Sequence, residues 1–126
     1  MKKCCIGDEY QNFGITTGLD FTGSTLGNDF TVMFVDPSGN YYQVPLSQGT
    51  SGSDNLKIGQ IHFVVNFIAS SWTAPTGGHP TSLTPGIVLY QAKKVLGGKI
   101  EYTNIFSLEL NDRGVYIIPS TPPPEP

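Results

Sequence analysis

The sequence predicts an all-β fold: an antiparallel β-sandwich, jelly-roll or immunoglobulin-like, of about seven or eight strands. Short runs rich in Val, Ile, Phe, Tyr and Thr are separated by clusters of Gly, Pro, Asn, Asp and Ser. Several of these runs alternate apolar and polar residues, which is the period of a strand. No apolar pattern with helical spacing continues for about ten residues without Gly, Pro or a β-branched residue.

The composition favours one domain with an uncharged surface. A chain of 126 residues can bury a single sizeable core. Only 13% of its residues are charged, about half of the ~25% that is usual for a soluble domain. A neutral polar surface packs against copies of itself at low desolvation cost. The net charge of -3, with Lys2–Lys3 and Lys93–Lys94 as the only basic pairs, argues against nucleic-acid binding.

Three parts of the chain are predicted: an N-terminal arm over 1–12, a β-sandwich domain over 13–118 and a Pro-rich tail over 119–126. The arm carries no period and no apolar h-region, so no secretion signal is predicted. The longest apolar run, IHFVVNFIASSW, falls short of the ~20 residues that a membrane span needs. The tail, which includes STPPPEP, is predicted to be polyproline-like, as either a disordered end or a docking arm for a neighbouring subunit.

The first confident strand is NDFTVMFV, and it is apolar on both faces. One face carries Phe30, Val32 and Phe34, and the other carries Thr31, Met33 and Val35. Such a strand suits the inside of a sandwich or an interface. A turn at DPSG follows, with Asp36 accepting backbone hydrogen bonds and Gly39 in the left-handed conformation. The returning strand, YYQVPL, is expected to lie at an edge or to end at Pro45, because Pro45 removes a ladder donor; its residues on one side are Tyr42, Val44 and Leu46.

The second half of the chain is predicted to hold the longest strand, a long loop and two hairpins. KIGQIHFVVNFIASSW is the longest strand, and Thr73 to Pro85 is the loop, where function often lies. GIVLYQA is a strand, and Gly97–Gly98 suits a two-residue hairpin. NDRG and VYII are the last turn and strand. IEYTNIFSLEL alternates clearly; its predicted inward residues are Ile100, Tyr102, Phe106, Leu108 and Leu110, and its outward ones Glu101, Thr103, Ser107 and Glu109.

The sequence offers little chemistry, so we expect no catalytic site, metal or cofactor. His62 lies in a strand among apolar neighbours and is interpreted as structural, and His79 lies in a loop without a partner at metal-ligand spacing. There is no H-E-x-x-H, G-x-S-x-G or P-loop motif. A cupin-type enzyme is disfavoured because its His and Glu ligand cluster is missing. A calcium site among the loop Asp and Asn side chains stays open.

Three groups of residues are candidates for contacts with partners. Interface residues are predicted from the two-sided strands and the aromatic side chains: Met33, Val35, Tyr41 and Tyr116. A ligand or partner loop is predicted from the long loop and its flank: Trp72, Thr76 and His79. Cys4 and Cys5 are adjacent, and the small ring would strain a disulfide between them. They are interpreted as free or packed thiols, with cross-linking between copies or thiol acylation as alternatives.

The stretch DFTVMFVDPSGNYYQVPL, the GG and NDRG hairpins and the Pro-rich tail together resemble the small β-sandwich virion proteins of bacteriophages. These are penton or vertex, decoration and fibre-adaptor subunits. The resemblance implies a homo-oligomer with terminal arms that reach other copies and other virion proteins, in a virion assembled in the host cytoplasm. We therefore expect a non-enzymatic structural protein. The alternative is a ligand-binding module for glycans or a cell-surface partner, using the loop and nearby aromatic residues.

Overall fold

The computed structural model describes residues 1–9, 11–23, 29–44, 47–48 and 56–112, with the backbone alone at 47–48. These residues form nine strands and two short 3-10 helices, Leu56–Ile58 and Ala69–Ser71, with no α-helix among them. The strands are β1 (Lys2–Cys5), β2 (Gln11–Thr16), β3 (Phe30–Val35), β4 (Tyr41–Gln43), β5 (Ser47–Gln48), β6 (Gln60–Val65), β7 (Gly86–Leu96), β8 (Lys99–Tyr102) and β9 (Phe106–Asn111). The prediction of a mostly β protein is confirmed.

The strands form two sheets. The larger sheet has six strands in the order β1-β9-β7-β3-β4, with β8 also paired to β7, and the smaller sheet has the order β2-β6-β5. β1 runs parallel to β9, whereas the other described pairs are antiparallel. The larger sheet is therefore mixed, and the prediction of a wholly antiparallel arrangement is wrong at this edge.

The segment predicted to be an N-terminal arm instead contains strand β1. Lys2 pairs with Leu108 and Cys5 with Asn111, and the ladder is extended by a hydrogen bond of 2.9 Å from the Ile6 amide to the Asn111 carbonyl oxygen. Cys4 points into the core and is 1% exposed. Four residues of sequence KKCC are too few to show a strand period, and the open edge of β9 supplies their partner. The predicted boundary between 118 and 119 lies outside the described residues.

The two sheets share a core of aromatic rings. Phe13 of β2 stacks on Phe63 of β6 with ring centroids 5.3 Å apart, and it meets Tyr90 of β7 edge-on at 5.5 Å. Phe30 of β3 lies 6.2 Å from Phe63, which gives a second contact between the sheets. Offset and edge-on ring pairs of this kind add about 0.5–1.5 kcal/mol each beyond the area that they bury.

The opening hairpin of the larger sheet agrees with the sequence pattern. In β3, Phe30, Val32 and Phe34 are buried while the alternate residues are not. Asp36 Oδ1 accepts hydrogen bonds of 2.9 Å from the backbone amides of Ser38 and Asn40. Gly39 has φ of 89°, the left-handed conformation that glycine adopts without steric cost. On the returning strand Tyr42 and Val44 are buried; Leu46 lies outside the described residues.

The longest strand is β7 with 11 residues, and not the predicted 57–72 segment. β6 ends at Val65, which is its last residue paired with β2. The Phe67 amide donates to the Asp8 carbonyl oxygen at 2.8 Å, and a 3-10 helix begins at Ala69. In this segment the alternate residues Ile61, Phe63, Val65 and Phe67 are nevertheless all buried.

A bulge between β8 and β9 changes which residues face the core. Tyr102 pairs with Lys93, and Phe106 pairs with Tyr90. The three residues 103–105 therefore lie opposite only two residues of β7, 91–92. The extra residue shifts the alternation by one position. Leu108 and Leu110 are buried as predicted, but Ile100 and Tyr102 are 57% and 60% exposed. The prediction that Ile100 and Tyr102 face inward is therefore wrong.

Thr103 lies at this bulge and is buried, although the alternation places it outside. Its Oγ1 accepts a hydrogen bond of 3.0 Å from the Ala92 amide, and its own amide donates to the Ala92 carbonyl oxygen at 3.0 Å. The hydroxyl thus replaces the backbone partner that the bulge removes from β7. This side chain is what allows the strand to change phase without leaving a buried amide unpaired.

Candidate functional site

The larger sheet turns one face toward the core and the other toward solvent, and we call the second the outer face. The strand register arranges its residues in rows. Val35 lies between Tyr41 and Leu89, and Met33 lies between Gln43 and Gln91. Lys93 lies between Thr31 and Tyr102 in the next row. Because successive side chains of a strand alternate, these residues all lie opposite the buried rings of Phe34 and Tyr90.

The outer face exposes several large apolar side chains. The exposed fractions are 40% for Met33, 58% for Tyr41, 40% for Leu89, 60% for Tyr102 and 64% for Ile105. Single exposed apolar residues are ordinary, but a contiguous group on one surface marks a site of contact with something else. We call these five residues the apolar cluster.

The described residues of the outer face line two adjoining grooves. The larger has a volume of about 440 Å³ and is walled by Tyr41, Tyr102 and Met33, with Gln43, Lys93 and Val95 along it. The smaller has about 240 Å³ and is lined by Val35, Leu89 and Ile105 beside Met33 and Tyr41. Both grooves include Gln91, whose Nε2 donates to the Thr103 carbonyl oxygen at 2.8 Å. Among the described residues that line the two grooves, Lys93 is the one that carries a charge.

The bulge places two walls of these grooves. Tyr102 and Ile105 are three positions apart, and in a regular strand they would point to opposite faces. The additional residue lets Tyr102 line the larger groove and Ile105 the smaller one. Bulges are common where a strand must redirect a side chain. The site therefore depends on the Thr103 hydroxyl, which holds the bulge to β7.

The structure brings together three of the four residues that the sequence suggested for an interface. Met33, Val35 and Tyr41 are neighbours on the outer face, and Tyr116 lies outside the described residues. Sequence reasoning missed Leu89, Tyr102 and Ile105. Strand alternation in GIVLYQA leaves the two faces of β7 equally apolar, so Leu89 carries no distinguishing signal. Tyr102 and Ile105 are concealed by the change of phase at the bulge.

The three residues predicted for a ligand loop do not form one site. Trp72 is fully buried, and its Nε1 donates to the Asn66 carbonyl oxygen at 2.9 Å. Its placement in the core, 5.2 Å from the ring of Phe34, removes it from the candidate binding surface. Thr76 is exposed. His79 is also exposed, and its Nδ1 donates to the Trp72 carbonyl oxygen at 2.8 Å, so it holds the loop to the body of the protein.

Cys4 and Cys5 are both free thiols, but they lie in different surroundings. Cys4 is buried, and this burial raises the pKa of its thiol to about 11. Cys5 is partly exposed on the opposite side of β1. In the folded protein Cys4 cannot reach another chain, so the predicted intersubunit thiol pair reduces to Cys5.

We expect a thiol reagent at pH 8 to modify Cys5 in the folded protein and Cys4 only after unfolding, because the thiolate is the reacting form. Intact mass after iodoacetamide treatment measures this, and Cys5→Ser, which should remain unlabelled until denaturant is added, is the control. The folded state holds the Cys4 proton more tightly, so its contribution to stability is present below about pH 9 and is lost as the pH rises toward 11. Two labels added at equal rates to the folded chain would contradict the buried position of Cys4.

Other kinds of site receive no support from the described residues. Among them, no group of three or more His, Cys, Asp and Glu side chains is placed to hold a metal ion. No helix in the described ranges has the length and apolar character to cross a membrane. Comparisons with protein-family models, with curated proteins and with solved structures find no match for this chain. The outer face is therefore the feature from which we infer a function.

Proposed function

We propose that this protein is a non-enzymatic structural subunit that works by self-assembly, with the outer face as a contact between copies. We further propose a virion as its setting, in which it would serve as a capsid vertex, decoration or fibre-base component of a bacteriophage assembled in the host cytoplasm. The apolar cluster carries the first proposal. The resemblance of the hairpins and the Pro-rich tail to small virion proteins supports the second.

The energies are consistent with an assembly that needs more than this one contact. Each half-exposed side chain of the apolar cluster would gain roughly 1 kcal/mol on burial, which gives about 10 kcal/mol for two copies. Association costs about 4–15 kcal/mol in lost freedom of motion. The two quantities are similar, so the outer face alone would give a weak complex. A low charge content of 13% keeps the desolvation cost of further contacts small.

We also propose that the two sheets pack face to face as a sandwich. Ring contacts between them support this arrangement, since Phe13 of the smaller sheet meets Tyr90 of the larger one at 5.5 Å and Phe34 at 6.5 Å. Small β-sandwich domains of this kind are common building blocks of capsids because they present flat, extended faces to their neighbours.

Light scattering after size exclusion tests the self-assembly, with two matched variants. Ile105→Asp places a charge in the apolar cluster, and Ile58→Asp makes the same change at a residue that is 48% exposed and lies outside the outer face. We expect the parent chain and Ile58→Asp to form the same oligomer. Ile105→Asp should raise the dissociation constant at least ten-fold, because a carboxylate would have to be desolvated at the contact. A monomeric parent chain, or equal behaviour of the two variants, would overturn the proposal.

A second candidate is the ligand-binding module, and one observation favours it. Tyr41 and Tyr102 line a single groove together with the amides of Gln43 and Gln91. Aromatic faces and planar amides are the groups that bind sugar rings. A monomer that binds members of a glycan array, and loses that binding in Tyr102→Ala, would favour this function over assembly.

A further inference from the structure

We propose that the larger groove receives the Pro-rich segment 119–126 of a neighbouring copy. This inference rests on the proposed self-assembly and names the part of the partner that enters the groove. Residues 113–126 lie outside the described part of the chain, and their sequence begins directly after the last described residue, Asp112. The lining of the groove and the sequence of the segment support the assignment.

The walls of the larger groove suit a polyproline ligand. Tyr41 and Tyr102 are 58% and 60% exposed and both line it, together with the apolar side chains of Met33 and Val95. Proline-rich segments bind in aromatic-lined grooves because their rings pack on aromatic faces and little conformational freedom is lost. A polyproline helix makes no internal hydrogen bonds, so its carbonyl groups need donors. The groove offers the tyrosine hydroxyls, the Gln43 amide and the Lys93 ammonium group.

The sequence of the segment matches this groove in spacing and charge. PSTPPPEP contains five prolines in eight residues. Pro119 and Pro122 are three positions apart, as are Pro123 and Pro126, so in a polyproline helix, with three residues per turn, each pair would lie on one side. Glu125 is the one acidic residue of the segment, and Lys93 is the one cation among the described residues that line the groove. The two would form an ion pair at the contact.

Distance allows the segment to reach the groove of its own chain as well as that of a neighbouring copy. Leu110 pairs with Gly86, so Asp112 lies beyond the start of β7, and Gln91 in the groove lies five residues after Gly86. At ~3.3 Å per residue, Asp112 is about 23 Å from the centre of its own groove. The seven Cα–Cα steps from Asp112 to Pro119 span about 23–25 Å when fully extended, and the residues of the segment itself add to this reach. Its own groove is therefore within reach as well, and the assignment to a neighbouring copy rests on the proposed self-assembly.

Peptide binding tests the assignment on the full-length protein. The receptor is the variant carrying Pro122→Gly, Pro123→Gly and Pro124→Gly, which leaves the groove open, and the probe is a dye-labelled peptide PSTPPPEP followed by fluorescence anisotropy. We expect saturable binding. Adding Tyr102→Ala to the receptor should weaken it at least ten-fold, and adding Ile58→Ala should leave it unchanged. Absence of saturable binding, or equal binding to both receptors, would overturn the proposal.

The oligomer mass separates failure of this inference from failure of the proposed function. We expect the triple glycine variant to dissociate at least ten-fold more readily than the parent chain. A parent oligomer that keeps its mass in this variant would overturn the docking of 119–126 and leave self-assembly standing. A monomeric parent chain would overturn self-assembly itself. If the parent chain were monomeric and the triple glycine variant still bound the peptide, the groove would bind the segment of its own chain. The assignment to a neighbouring copy would then be wrong.

Discussion

Replacing Trp72 with alanine should lower the free energy of unfolding by about 3–5 kcal/mol, because a fully buried aromatic side chain is removed. The indole packs against three rings, with centroids at 5.2 Å for Phe34, 5.7 Å for Tyr42 and 5.8 Å for Phe67. Its Nε1 hydrogen bond to the Asn66 carbonyl oxygen would be lost as well. Guanidinium denaturation followed by circular dichroism at a fixed protein concentration measures the change.

Two controls make the result specific to the core. Trp72→Phe keeps a ring but loses the donor to Asn66, and we expect a cost of about 1–3 kcal/mol. Thr76→Ala changes an exposed residue of the neighbouring loop and should stay within about 0.5 kcal/mol of the parent. If Trp72→Ala behaved like Thr76→Ala, the tryptophan would be a surface residue, and the ligand-loop interpretation would regain its central member.

Gly59→Ala should cost about 3 kcal/mol or more, from backbone strain and a collision together. Gly59 is buried and has φ of 70°, where a residue with a side chain pays about 1–2 kcal/mol. An added Cβ would lie 2.7 Å from the Leu19 carbonyl oxygen and would also meet the Thr17 side chain. The 17–19 backbone cannot move away without weakening a hydrogen bond of 3.1 Å, which the Thr17 amide donates to the Gly59 carbonyl oxygen.

Gly18→Ala is the matched control for this substitution. Gly18 has φ of 81°, and nothing lies within 4 Å of an added Cβ. Gly18→Ala should therefore lower the free energy of unfolding by about 1–2 kcal/mol, from the backbone conformation without any collision. The same denaturation measurement compares the two variants, and equal losses would mean that the collision at Gly59 is relieved by movement of the 17–19 segment.

Local signals in the sequence predicted the parts of the fold that depend on neighbouring residues. The alternation of β3 identified its buried face, and the Gly97–Gly98 pair identified the hairpin between β7 and β8, where both glycines have positive φ. The DPSG turn has the hydrogen bonds that Asp36 was expected to accept. In each case the conformation is decided within a few residues.

Features that depend on distant partners were not predictable from the pattern. β1 forms because the edge of β9 supplies its hydrogen-bonding partner. The sequence KKCC contains no pattern that predicts a strand. Trp72 is buried by rings contributed from other strands, although it borders a polar, proline-rich loop. In IEYTNIFSLEL the alternation of apolar and polar residues keeps the same phase before and after the bulge. The extra residue of the bulge, however, turns Ile100 and Tyr102 to the opposite face of the sheet from the one that the alternation predicts.

The candidate site was partly predictable for the same reason. Met33, Val35 and Tyr41 follow from strands that are apolar on both faces, which is a local property. The walls contributed by Tyr102 and Ile105 depend on the bulge, and the bulge depends on the hydrogen bonds of Thr103 to Ala92. Thr103, which the alternation predicts to face outward, is thus the residue whose hydrogen bonds set the positions of Tyr102 and Ile105 on the outer face.

The pairing of Lys2 with Leu108 has a consequence for how the chain is made. Nearly the whole described chain separates these partners, so β1 cannot take its place until β9 has left the ribosome, and the closure of such a long loop is slow. We expect the first strand to join the sheet late in folding. Until then the nascent chain carries two adjacent accessible thiols, and burial of Cys4 protects one of them only after β9 has been synthesised.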